Sequence, residues 1–229
     1  MREIVLDTET TGFDPESGDR IVEIGAVELF NHVATGATFH QYINPERAMP
    51  NEAFEVHGLG DDFLRDKPVF ALIAQDFLDF IGDAKLVIHN AAFDMKFLNA
   101  ELGWVKKQAL PWERAIDTLA IARKKFPGSP ASLDALCRRF NIDNSSRTLH
   151  GALLDSEILA EVYLELVGGR QPDFGLNTAA SQTESDASEQ IWRPTARPHR
   201  LASRVTAEER AAHAEFVKTL GDACLWSKA

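Results

Sequence analysis

Short apolar runs separated by polar turns open the chain, and longer stretches with apolar residues three and four apart follow. Ile4-Val5-Leu6 is a compact apolar run with a β-branched pair, the pattern of a buried strand. After a polar turn from Asp14 to Arg20, Ile21 to Phe30 (IVEIGAVELF) and Thr38 to Ile43 read as strands joined by a loop through Asn31 to Gly36. The chain is thus predicted to open as a three-stranded meander. Pro45 to Gly60 reads as an irregular connection. Over Pro68 to Ile81 the residues Phe70, Ile73, Phe77 and Phe80 recur at helical spacing. Leu86-Val87-Ile88 is a second buried strand, and Asn90 stands where a cap for the next helix belongs. Ile116 to Lys125 reads as helix up to Pro127-Gly128, and Ser132 caps a helix that runs to Phe140. Leu153 to Val167 is the longest helix, stopped by Gly168-Gly169.

The pattern then changes. Asn177 to Gln190 (NTAASQTESDASEQ) contains no large apolar residue and reads as a flexible linker, and Arg193 to Arg204 is dominated by arginine and proline. A linker of about 25 flexible residues spans roughly 25–30 Å. Thr206 starts one last helix: it forms a capping box with Glu209, Lys218 lies in the last turn, and Gly221 suits the C′ position. The apolar groups there are chiefly Phe216, Val217, Leu220, Leu225 and Trp226. A helix this short is marginal alone in water. These side chains therefore call for another surface, with Trp226 as the largest anchor.

With 229 residues and 45% hydrophobic content, the chain fits one good-sized domain plus an appendage. The formal net charge is −11, and from Asn177 onward 7 basic residues balance 7 acidic ones. The acidity therefore belongs to the first 176 residues. Such a domain holds a phosphate backbone weakly by itself and needs metal ions, or a partner that delivers the substrate. Cys137 and Cys224 follow no zinc or redox spacing, which predicts free thiols in a reducing cytoplasm. The acidic start, Glu3 and Asp7, does not resemble a signal peptide. No apolar run reaches membrane-spanning length, so a cytoplasmic location with no membrane partner is expected.

The chemistry concentrates at the end of the first strand. Asp7 and Glu9 are two apart, so both side chains leave the same face, roughly 7 Å apart along the chain. Two like charges beside a core are costly unless a positive group lies between them, and a hard divalent cation such as Mg²⁺ meets that need. An acidic surface turn is the alternative. Asp155 adds to the first reading: it shares a helical stripe with Ala152, Leu159, Val162 and Leu166, so an acid interrupts a buried face. Asp94 shares a stripe with Ala91, Leu98 and Val105, although an acid in a first helical turn also serves the helix dipole. His150 lies five residues before Asp155, about 140° away on a continuous helix, which places it on the loop before that helix. A histidine beside a metal-binding carboxylate has a pKa suited to removing a proton from water.

Asp7 to Asp14 (DTETTGFD), His89 to Asp94 (HNAAFD) and His150 to Asp155 (HGALLD) resemble, in order and spacing, the three motifs of the DEDDh 3′→5′ exonucleases. Within that superfamily the chain is similar to the proofreading subunits of bacterial replicative DNA polymerases, over about Met1 to Gly169 and again at the closing Cys224-Leu225-Trp226. The resemblance implies an α/β, RNase H-like fold: a mixed five-stranded sheet flanked by helices, followed by a flexible C-terminal tail. It implies two Mg²⁺ or Mn²⁺ ions held by Asp7, Glu9, Asp94 and Asp155, with His150 as general base. Glu52 and His57 match positions that contact the terminal nucleotide, beside Asp7, Glu9 and Asp155. His89, Asn90 and Phe13 are further candidates for lining the pocket. The substrate implied is a single-stranded 3′ end of DNA. Residues 171–176 resemble a sliding-clamp-binding peptide with Gln171, Phe174 and Leu176 as its contacts, although Phe precedes Leu where the commonest pattern differs. The tail resembles a segment that docks on the polymerase catalytic subunit, with Trp226 in the contact. The expected organisation is a 1–170 exonuclease domain, the 171–176 peptide, a 177–205 linker and a 206–229 docking segment.

Two other readings compete. The same four acids and histidine serve exoribonucleases of the oligoribonuclease or RNase T type, but free-standing RNA trimming needs neither clamp peptide nor docking tail. A mainly structural subunit that binds polymerase and clamp is the other, and the complete set Asp7, Glu9, Asp94, His150 and Asp155 argues against it.

Overall fold

The computed structural model describes residues 1–145, 147, 149–168 and 205–220. The chain divides into two compact units, Met1–Asn177 and Thr178–Ala229.

In the first unit β1 (Arg2–Thr10), β2 (Ile21–Phe30) and β3 (Val33–Tyr42) form the opening meander. The helices α1 (Asn51–His57), α2 (Asp61–Leu64) and α3 (Phe70–Ile81) lead to β4 (Lys85–Ile88) and α4 (Ala91–Trp104). β5 (Ala115–Asp117), α5 (Thr118–Lys125), α6 (Leu133–Phe140) and α7 (Ala152–Val167) complete it. The sheet order is β3-β2-β1-β4-β5, with β1 antiparallel to β2 and parallel to β4. β1 is central, and both its faces are covered. Ile4 and Leu6 pack with Phe70, Phe77, Phe97 and Leu98 from α3 and α4, whereas Val5 packs with Leu136, Leu159 and Val162 from α6 and α7. The strand's period of two thereby sends Asp7 and Glu9 to the α7 side and Thr8 to the α4 side.

The meander, α3, β4, α6 and α7 lie where the periodicity places them, and Ser132 accepts from the Ala135 amide as a cap. Four expectations need correction. β3 begins at Val33 rather than Thr38, because Asn31 and His32 turn the chain in two residues with φ of 51° and 64°. This first part of β3 is exposed and carries no apolar alternation, so its sequence looks like loop. The supposed irregular stretch from Pro45 to Gly60 contains α1, which ends at Gly58 in the left-handed region (φ 74°). Ile116 belongs to β5 rather than to a helix; Asp117 caps α5 by accepting from the Leu119 and Ala120 amides. A three-residue strand is too short to show a period. Asn90 occupies the cap position of α4, but with φ of 65° and no side-chain cap bond; its amide donates to Asp117 instead.

α7 is pinned to β2 at Gly25, the residue paired with Asp7 across the ladder. A Cβ on Gly25 would lie 2.1 Å from the Ala152 carbonyl carbon and the Leu153 nitrogen. The Ser156 hydroxyl donates to the Gly25 carbonyl at 2.9 Å, and the Ala152 amide donates to Glu23 at 3.2 Å. Gly25→Ala must push α7, and Asp155 with it, away from Asp7. The expected cost is about 1–3 kcal/mol of stability and most of the activity, read by thermal unfolding and strand digestion. A fully active Gly25→Ala protein would contradict this packing role.

In the second unit α8 (Ala207–Thr219) carries the Thr206–Glu209 capping box and Lys218 in its last turn, as expected, and none of its residues is buried. Gly221, Gln171, Phe174, Leu176, Leu225, Trp226, Cys224 and residues 177–204 of the linker lie outside the described residues. Cys137 is a buried free thiol. Among the described residues, no helix is long and apolar enough to cross a membrane.

Candidate active site

Asp7, Glu9, Asp94, His150 and Asp155 line one cavity of about 180 Å³, together with Thr8, His89, Asn90, Phe93, Leu133 and Arg147. β1 supplies the first two acids, the first turn of α4 supplies Asp94, and the first turn of α7 supplies Asp155. Thr8, between the two β1 acids, turns to the opposite face and donates to Asp94 at 2.7 Å. The stripe through Asp155 is buried throughout, and that through Asp94 is buried at Ala91, Asp94 and Leu98, whereas Val105 lies beyond α4 and is half-buried. His150 lies on the loop before α7; its amide donates to the Val56 carbonyl at 3.1 Å, and its ring is half exposed. Among the described residues, ligand atoms of Glu9, His150 and Asp155 lie within 4.8 Å of one another and could hold a metal ion.

The electrostatics show acids short of a partner. Burial, then the charges of Asp94, Glu9 and Asp155, push the Asp7 carboxyl well above the usual carboxylate range. Burial and the nearby carboxylates of Asp155, Glu23 and Asp94 raise Glu9 to about 8, and its buried Oε1 has no hydrogen-bond partner. Burial raises Asp94 to about 7 despite the bond from Thr8. Asp155 differs. Burial works against its charge, but the His150 and Arg147 side chains beside it hold its pKa below the ordinary value. Three raised carboxyls and an orphaned oxygen, all hard oxygen donors, fit a site for divalent cations.

A second cavity of about 510 Å³ adjoins the first, with Thr8, Glu9 and Phe93 lining both. Glu52, His57 and Phe13 line this second cavity, whereas His89 and Asn90 line the first. His57 is buried; its Nδ1 accepts from the Leu59 amide at 3.1 Å, so the ring proton is on Nε2, which faces the Thr10 backbone without a well-formed hydrogen bond. Burial lowers the His57 pKa, favouring this neutral form.

Sequence reasoning missed Arg147. Its guanidinium donates to both Asp155 oxygens and to Asp134, and Nη2 lies 2.8 Å from His150 Nδ1. An arginine in a polar loop gives no periodic signal, and only the fold brings it to the acids. Glu23 was also missed; it faces Glu9 across the β1–β2 ladder and accepts from His40 at 2.7 Å.

A mixed sheet whose central strand ends in an acidic cleft, beside a second and larger cavity, is suited to metal-assisted hydrolysis of a phosphodiester. The family model for exonucleases matches residues 4–163. DNA polymerase III subunit epsilon of Rickettsia felis is 53% identical over 223 residues, covering 96% of this chain and 97% of that protein. The protein of the same name from Escherichia coli K12 is 47% identical over 241 residues, covering 98% and 97%. Among solved structures, exonuclease X in complex with 5′ overhanging duplex DNA matches with a TM-score of 0.56 at 25% identity, covering 72% of this chain and 90% of that one. The nuclease domain of a DEDDh-family 3′-exonuclease bound to rAMP shares the fold, with a TM-score of 0.62 at 21% identity over 72% and 91%. The chain belongs to the exonuclease family, among the DNA polymerase III epsilon subunits.

Proposed function

We propose that the chain removes mismatched nucleotides from single-stranded 3′ ends of DNA as the proofreading subunit of the bacterial replicative polymerase. The observation that carries this reading is the pair of adjoining cavities: an acidic cleft that opens, through Thr8, Glu9 and Phe93, into a pocket lined by Glu52 and His57. Asp7, Glu9, Asp94 and Asp155 would hold two divalent cations, Mg²⁺ or Mn²⁺. Such ions acidify a bound water and offset charge on the leaving 3′ oxygen. The larger pocket seats the terminal nucleotide, and His57 Nε2–H is a ready donor to it. His150 stands at the cleft mouth and takes the proton from the attacking water. Digestion of a 3′-mismatched DNA primer, compared with a paired primer and an RNA oligomer, tests the reading. Metal-dependent removal of the mismatch should be fastest, and a preference for RNA would overturn it.

Residues 171–176, through Gln171, Phe174 and Leu176, are proposed to bind the sliding clamp, and the segment from Thr206 through Trp226 to bind the polymerase catalytic subunit. The exposed Phe216 and Leu220 on and beside α8 support a docking role. Tethering raises the local concentration of the exonuclease at the primer end and offsets the weak DNA affinity of an acidic domain. Truncation before Ile191 should preserve digestion of free single strands and abolish co-purification with the polymerase subunit. Trp226→Ala should weaken that association strongly. Wild-type stoichiometry with the truncated chain would remove the tail from the interface.

A further inference from the structure

Arg147 makes a set of contacts that a purely structural arginine does not need. Its Nε lies 2.5 Å and its Nη2 2.7 Å from the two Asp155 oxygens. Nη1 lies 2.9 Å from Asp134, and Nη2 is 2.8 Å from His150 Nδ1 and 3.4 Å from His150 Nε2. The Arg147 side chain is 9% exposed and Asp155 5%, whereas Asp134 is 45% exposed. The guanidinium has donors and no acceptor. The nitrogen it bonds on His150 must therefore offer its lone pair, and that lone pair is then not available to a water.

Both oxygens of Asp155 are likewise occupied. A divalent cation on Asp155 would approach to about 2.0–2.6 Å and place a second positive charge against the guanidinium. The two cations compete for one carboxylate, and the arginine has to yield at least one of its bonds. Asp134, at the open edge, can keep Nη1 while the other nitrogens leave. A guanidinium released beside a phosphodiester has a planar fork suited to two phosphate oxygens.

We propose that Arg147 is an exchangeable counter-ion: it neutralises Asp155 and occupies His150, yields both when a divalent cation binds, and pivots on Asp134 to grip the phosphate of the bound strand. Arg147 is then a positioning residue in one arrangement and a substrate contact in the other. The arrangement keeps the general base blocked until Asp155 carries a metal. This inference rests on Asp155 being a metal ligand.

The test is calorimetric titration of Mn²⁺ into the metal-stripped full-length chain, with no turnover involved. Arg147→Gln should bind Mn²⁺ about 10–100-fold more tightly than wild type, the span of one charge-assisted hydrogen bond. Its KM for a single-stranded DNA oligomer should rise, since the phosphate contact is lost. Unchanged or weaker Mn²⁺ binding by Arg147→Gln overturns the proposal. Arg147→Lys holds one oxygen at most and should show a smaller gain in the same direction. It carries the test if the glutamine variant does not fold, and unchanged affinity there is equally fatal. Asp155→Asn separates the two ideas: if it leaves Mn²⁺ affinity intact, the ligand assignment fails. If it weakens binding while Arg147→Gln gives no gain, only the counter-ion role fails.

Discussion

Asp7→Asn and Glu9→Gln will each abolish metal-dependent digestion while making the metal-stripped protein more stable. Both acids leave the same face of β1, and both are held beside other carboxylates that they repel. The stabilising half follows from the direction of their shifts. Glu9 is raised from 4.5 to about 8 and Asp94 from 3.8 to about 7, so the folded chain binds protons that the unfolded chain has released. A group whose folded pKa lies above its unfolded value opposes folding increasingly as pH rises between the two. The stability of the chelated protein should therefore fall between about pH 4 and pH 8, and Glu9→Gln should flatten that slope. At pH 8 the gain should be about 1–3 kcal/mol, visible as a higher Tm in EDTA. Added Mn²⁺ should stabilise wild type and do much less for the variant. An ordinary Tm loss in EDTA, or substantial residual digestion in Mg²⁺, would detach these acids from the metal.

How legible this was in the sequence depended on whether each signal was local. The D-x-E end of β1, the acid in the buried stripe of α7 and the loop position of His150 were readable, because period and burial conflict at those residues. β5 was hidden by its length, and the start of β3 by its exposure. Arg147 and Gly25 belong to a different class. Neither breaks a pattern in its own segment; Gly25 matters through Ala152 far along the chain, and Arg147 through Asp155, 8 residues on, by a side-chain reach that no period encodes. Gly25 reads as a weak strand residue until α7 is laid against it. Such residues are set by tertiary approach, which a single sequence does not display.

The acidic charge of the domain acquires a use in this light. A site that gathers Asp7, Glu9, Asp94 and Asp155, with Glu23 across the ladder, repels a phosphate backbone until cations enter. On the proposed function, charge alone would make DNA binding conditional on metal, and an exchangeable Arg147 would add a second condition at Asp155. The proposed tether would then supply proximity without a basic surface that would hold any strand nonspecifically.

His150→Ala should lower turnover about 10²–10⁴-fold, the usual contribution of a positioned general base, with little change in metal affinity. Three observations support that role. The bond from its amide to Val56 and the contact a Cβ on Gly58 would make with Leu149, at 2.8 Å, tie its loop to the end of α1. That end of α1 carries His57 and lines the larger cavity, so a nucleotide seated there, as proposed, would bear on the loop. The ring is half exposed, leaving room for a water beside it, and its Nδ1 is 3.4 Å from Asp155 Oδ2. Asp155 at that distance can orient the ring. The same geometry gives the competing assignment, since His150 also lies within one ligand sphere with Glu9 and Asp155. The two roles separate on one pair of measurements. A base is recovered in part by raising pH or adding imidazole, at unchanged Mn²⁺ affinity. A ligand instead shows weakened Mn²⁺ binding, with turnover restored at saturating metal, and that result would move His150 from proton removal to metal ligation.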